Sequence, residues 1–146
     1  MRKKSGKSTT ILLVLLLLVG LSVMLYPTIS DWWNSKTQSR AVATYQKAAN
    51  DVSDKENEEI LSQARKYNEE IAKLARPFVD YDKVKGYEDI LDITGTGVMG
   101  YISIPTIRVE LPIYHGTSDG VLNVAVGHLQ GSSLPVGGAD THSVIS

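Results

Sequence analysis

The sequence predicts a mainly β chain with a helical N-terminal extension. It reads as a transmembrane helix, then amphipathic helices, then the first strands of a larger β unit that these residues leave incomplete. Three observations carry this. Residues 8–30 hold no charged side chain. Residues 35–74 place apolar side chains every three or four positions. From residue 100 onward the pattern changes to period two.

The apolar run STTILLVLLLLVGLSVMLYPTIS is long enough to cross a bilayer, which needs about 20 residues in a helix. Backbone groups in lipid must be satisfied within the segment, so helix is the expected form. Arg2, Lys3, Lys4 and Lys7 precede the run, and the rest of the chain carries 11 basic against 16 acidic residues. Basic flanks stay on the cytoplasmic side, which places residues 1–7 inside and residues 31–146 outside. Trp32 and Trp33 then fall at the outer interface, where aromatic rings are favoured. A cleaved signal peptide is the competing reading, since Gly20-Leu21-Ser22 is a small-x-small triplet. Val23 to Tyr26 prolong the apolar run past that point and favour an uncleaved anchor.

The chain of 146 residues has no cysteine, so it holds neither a disulfide nor a thiol nucleophile. The acidic balance of the exported part argues against nucleic acid as a partner.

Residues 31–76 form the extracellular helical region. Val42, Tyr45, Ala49 and Val52 make one stripe, and Ile60, Ala64, Tyr67, Ile71 and Leu74 make a second. Ser53-Asp54-Lys55-Glu56 has the pattern of a capping box, which starts the second helix. Pro77 is expected to end it, because Pro lacks the amide donor and restricts Arg76 before it. Residues 77–99 are the linker, with turn chemistry at Thr94-Gly95-Thr96-Gly97. GYISIP (100–105) and RVELPIY (108–114) read as half-buried strands, with Pro112 implying an edge or a bulge. Ser118-Asp119-Gly120 reads as a turn or helix start and GGAD (137–140) as a turn. HSVIS (142–146) reads as a further strand.

Several patterns compete for chemistry. Gly95 to Gly100 matches GxGxxG, but a strand follows it where a dinucleotide site needs a helix. Gly6-Lys7-Ser8-Thr9 resembles the tail of a P-loop whose first glycine position is Met1. Asp80, Asp82, Glu88, Asp89 and Asp92 follow no metal-loop spacing and read as a solvated acidic face. His115, His128 and His142 lack a zinc spacing. His128 could serve Ser132 or Ser133 as a base, yet neither serine lies in a G-x-S-x-G elbow. No cofactor or metal site is assigned, and each histidine reads as structural or surface.

Residues 97–146 resemble the class C, pilin-polymerising sortases of Gram-positive bacteria. The matching pieces are GYISIP (100–105), LPIYHGT (111–117), VGHL (126–129) and SLPVGG (133–138), in that order. The resemblance implies an eight-stranded β-barrel and a cysteine transpeptidase of the cell membrane. Such an enzyme cleaves LPxTG-type sorting signals and joins pilin subunits through a lysine isopeptide bond. It uses a His, Cys and Arg triad and no cofactor. The resemblance places the family's catalytic histidine just after a strand like THSVIS, so no catalytic residue is expected among these 146 and the chain alone is expected to be inactive. His128 then matches a non-catalytic histidine. The family's Asp-Pro-aromatic lid corresponds to Arg76-Pro77-Phe78, with Arg76 in place of the aspartate. A non-enzymatic, membrane-anchored binding or assembly protein is the alternative, and its main support is the missing cysteine.

Overall fold

A computed structural model describes residues 5–146, and of Ser5 the backbone only. Arg2, Lys3 and Lys4, on which part of the topology argument rests, lie outside the described residues. Two compact units are present, one up to Lys36 and one spanning Thr37–Ser146.

Helix α1 (Ser5–Asp51) runs through the apolar stretch and on into the polar region without interruption. Pro27 lies inside it. Its apolar part is long enough and apolar enough to cross a membrane, and its leucines and valines are exposed. Just past the C-terminal end of this apolar part the Trp32 and Trp33 rings lie 6.5 Å apart and the Lys36 ammonium sits 5.1 Å from the Trp32 ring.

The second unit begins with the last turns of α1. Val42 is buried, and the Tyr45 hydroxyl donates to the Met99 carbonyl at 2.8 Å. The Gln38 amide donates to the Val124 carbonyl. Ala49, expected on the same stripe, is exposed. Helix α2 (Asp54–Ala72) starts where the capping box puts it. Ser53 Oγ accepts from the Glu56 amide, and Glu56 returns the bond by accepting from the Ser53 amide at 3.0 Å. Ala64, Tyr67 and Ile71 of the expected stripe are buried, with Ile60 and Leu74 packed at the margin of the core.

Pro77 does not end α2. That helix stops at Ala72, capped by Lys73, and Pro77 instead opens a short helix, α3 (Pro77–Asp80). The reason is positional: at N1 the missing amide costs nothing, because that donor has no partner inside a helix.

Strand β1 (Val98–Ile104) pairs antiparallel with β2 (Val109–His115). A register shift between Val98 and Gly100 leaves Met99 at a bulge. Val98 and Met99 are therefore buried in succession, against the period-two rule, and beyond the bulge Tyr101, Ile102 and Ser103 alternate again. β2 is the middle strand, pairing in parallel with β3 (Val126–His128). Pro112 is thus neither on an edge strand nor at the bulge. It is tolerated because β3 pairs only from Ile113 onward, so no ladder donor is missed on that side. Between β2 and β3 lies α4 (Asp119–Leu122), with Ser118 before its first turn. Gly127 is required here, because a Cβ at that position would collide with the Gly116 carbonyl.

HSVIS is not a regular strand. Only His128 and Ile145 form a bridge. Backbone bonds nonetheless run along β3: Leu129 donates to Val144, Gly127 donates to Ser146 and Ser146 donates to Gly127, at 2.9–3.0 Å. The segment covers the side of β3 that faces away from β2.

Candidate functional site

The polar centre of the second unit is built on Tyr87, His115, His128 and Ser132. His128 is fully buried at the end of β3. Its Nε2 lies 2.9 Å from the Ser133 carbonyl oxygen, an acceptor, so Nε2 carries the proton. Its Nδ1 is then free to accept from the Tyr87 hydroxyl at 2.9 Å. The same hydroxyl lies 2.9 Å from the His128 carbonyl and accepts the Gly116 amide at 2.9 Å. One phenol thereby joins the loop at 84–91 to the ends of β2 and β3. His115 stacks edge-on against Tyr87 with ring centres 5.0 Å apart. Its Nδ1 meets the Gly97 carbonyl at 3.0 Å and its Nε2 meets the Ile90 carbonyl at 2.8 Å.

Ser132 Oγ lies 3.2 Å from His128 Nε2, and His128 is oriented by Tyr87. The outline is that of a nucleophile, a base and an orienting group. The hydrogen bonds argue otherwise. Ser132 Oγ donates to the Leu129 carbonyl at 2.7 Å and accepts the Val144 amide at 3.1 Å. His128 Nε2 is occupied by Ser133, and Ser132 is buried. No substrate atom can reach the hydroxyl, and the base has no lone pair on that side. The three groups hold a loop together. His142 stands apart with an exposed side chain; its carbonyl accepts the Ser133 amide at 2.9 Å and its amide donates to Ser133 Oγ at 3.3 Å.

Burial pushes His128 below its ordinary value of 6.5; the Ser133 bond works the other way and the charge of His115 adds to the lowering. The sign follows from proton counts. Below 6.5 the unfolded chain binds a proton that the folded chain resists. The stability that neutral His128 contributes is complete above 6.5 and is lost as the pH falls from there toward the folded value. Thermal unfolding between about pH 7.5 and about pH 5, across the histidine range, is expected to show a steeper loss of stability for the native chain than for His128→Gln. Equal slopes would reject this.

Two of the acidic residues, Asp92 and Asp80, have structural partners. Asp92 Oδ1 accepts from the amides of Thr94 and Thr96, and Oδ2 accepts from Gly97 at 2.8 Å. Burial raises its pKa, but the three amide donors and the Thr94 hydroxyl outweigh that and hold it below the ordinary carboxylate value. Asp80 pairs with Arg76 at 3.5 Å and Lys83 at 3.0 Å. Among the described residues, no group of His, Asp and Glu has the arrangement of a metal site.

Of the expected lid residues, Arg76 is the N-cap of α3, without a side-chain capping bond, and Pro77 is its first residue. Phe78 is 55% exposed. Gly131, in the loop that Ser132 and His128 hold, lies directly against this segment. The structure therefore brings 76–78 beside the 129–133 loop. Sequence reasoning missed Tyr87, Gly131 and Asn68. Asn68, buried on α2, donates to the Leu134 carbonyl at 3.2 Å and accepts the Leu134 amide at 2.6 Å. Its signal was a short polar residue between Tyr67 and Ile71 on an otherwise apolar stripe.

Helices followed by this small sheet define a sortase-type fold when compared with solved structures. Within that class the similarity is mainly to sortase C. The structure of sortase C1 from Streptococcus agalactiae matches with 39% identity and TM-score 0.59, over 73% of this chain and 55% of that one. Sortase C from Clostridium perfringens, in an intermolecular complex with the C-terminal cell wall sorting signal motif, matches with 37% identity and TM-score 0.54, over 73% of this chain and 50% of that one. Sortase A from Corynebacterium diphtheriae matches with 36% identity and TM-score 0.54, over 75% of this chain and 56% of that one. The chain thus spans about half the length of these sortases, between 50% and 56%. No protein family profile and no curated protein sequence matches it.

Proposed function

We propose that these residues are the N-terminal part of a membrane-anchored class C sortase, a cysteine transpeptidase that cleaves LPxTG-type sorting signals and joins pilin subunits through a lysine isopeptide bond. The observation that carries this is 39% identity to sortase C1 across 73% of the chain, with a TM-score of 0.59. A Clostridium perfringens sortase C bound to a sorting signal motif supports that substrate class.

Covalent transpeptidation of this type needs a thiolate to attack the scissile carbonyl, an acid for the leaving amine and a cation at the oxyanion. The 146 residues contain no cysteine, so the thiol belongs to residues outside them. In this reading the described unit is scaffold and approach: β1, β2 and β3 are barrel strands, the His128 network fixes the loop at 129–133, and residues 76–78 are the lid. Arg76 is turned to Asp80 within the lid, where it neutralises a neighbour instead of pairing with a cationic active-site group.

The test has two readouts. The 146-residue chain, given a peptide with an LPxTG-type signal, is expected to leave it uncleaved. The coding frame beyond codon 146 is expected to encode His-Arg-Gly, then Thr-Leu-x-Thr-Cys, then an arginine. Cleavage by the chain itself, or a frame that ends without a cysteine codon, would overturn the proposal.

Residues 8–30 are proposed as the anchor, with residues 31–146 outside the cytoplasm. A reporter fused after Trp33 is expected to be active only on the outer side; cytoplasmic activity refutes this orientation.

A further inference from the structure

The segment that contains α3 has little side-chain hold on the rest of its unit. No residue of α3 is buried, and Phe78 and Val79 are 55% and 63% exposed. The ion pairs of Asp80 with Arg76 and Lys83 close within the segment itself. Four residues of helix with no capping side chain are far too short to be stable alone. Something else must seat them.

Gly131 lies at the contact. Its φ is +98°, and a Cβ built there would stand 2.7 Å from the Pro77 carbonyl oxygen and 3.0 Å from Phe78 Cα. Both are backbone atoms, which cannot rotate away as a side-chain tip can. The approach is closer than any residue other than glycine allows. The loop that carries Gly131 is fixed from behind, through Ser132 to Leu129 and Val144 and through Ser133 to His128.

We infer that residues 76–80 form a strap docked backbone-to-backbone on Gly131, so that the state of the 129–133 loop sets how tightly the strap is seated on this unit. The inference rests on the lid reading only for what the strap covers; the docking stands on the contact itself. A strap held in this way can lift without extracting buried side chains from the core. One methyl group at Gly131 is therefore enough to unseat it.

The test is amide hydrogen exchange on the full chain in detergent micelles, read at Val79 and Asp80, whose amides bond to the Arg76 carbonyl. Gly131→Ala is expected to speed their exchange about tenfold or more, with the α2 amides unchanged. Gly137→Ala is the control. It has a similar positive φ of +72° and nothing within 4 Å of its Cβ position, so it introduces backbone strain without the collision. It is expected to leave Val79 and Asp80 unaffected. Unchanged exchange in Gly131→Ala, or an equal increase in Gly137→Ala, overturns the inference. Should Gly131→Ala fail to fold, the native chain still decides: a through-space proton contact between the α-protons of Gly131 and Phe78 is expected, and its absence refutes the docking. Failure of the sortase reading would leave both measurements unaffected.

Discussion

Replacing His128 with leucine is expected to cost roughly 2–4 kcal/mol, from the Ser133 carbonyl left without its donor at about 1–3 kcal/mol plus imperfect packing. Leucine fills a similar volume but offers nothing to the Ser133 carbonyl, now bonded at 2.9 Å, and takes the Nδ1 acceptor from the Tyr87 hydroxyl, which keeps the His128 carbonyl at 2.9 Å. Against a total stability of about 5–15 kcal/mol this is a large share. The midpoint of thermal unfolding should fall by on the order of 10 °C. Tyr87→Phe removes the other half of the pair, so the two substitutions together should cost less than their separate effects added. A loss under about 1 kcal/mol, the range of ordinary surface changes, would mean that the network does not hold the ends of β2 and β3.

The second large effect is expected at Asn68. Its side chain bonds both the amide and the carbonyl of Leu134, in the manner of a paired strand. Asn68→Ala leaves the Leu134 amide buried without a partner, while the Leu134 carbonyl keeps the Val136 amide at 2.8 Å, so the cost is about 1–3 kcal/mol. Asn68→Asp separates the two bonds. A carboxylate still accepts from the Leu134 amide but faces the Leu134 carbonyl with no donor, so loss of stability should grow as the pH rises and the group ionises. Chemical denaturation of each variant measures both. Indistinguishable midpoints for Ala and native would show that the pair carries no net stability.

These effects fall where the sequence was least readable. The capping box at Ser53 and Glu56 could be read because its partners lie three residues apart. The α2 stripe follows one helical period, and the hairpin of β1 and β2 follows period two on both sides of a short connection. Local rules fail at greater separation. Tyr87 and His128 are 41 residues apart, and nothing in the residues around Tyr87 marks it as a hydrogen-bond hub. β3 has three residues with a central glycine, too few to show alternation, so its parallel pairing with β2 left no trace. Pro77 misled because proline ends one helix and begins another by the same chemistry. His128 beside Ser132 read as possible catalysis or possible structure; only the bonds to Leu129 and Ser133 decide, and they are backbone carbonyls that a sequence does not distinguish.

The Asn68–Leu134 clasp also bears on the order of folding. It joins groups 66 residues apart, and Gln38 and Val124 are joined across 86. Closing such loops costs chain entropy before any bond repays it, whereas α2 and the β1–β2 hairpin close over short distances. The clasp should therefore form late, after the helix and the hairpin have already met. Contacts made after the rate-limiting step do not guide the search; they slow the exit. Loss of Asn68 is then felt as faster opening of the native state with little change in how quickly it is reached, so the residue acts as a kinetic lock on a fold whose local parts assemble without it.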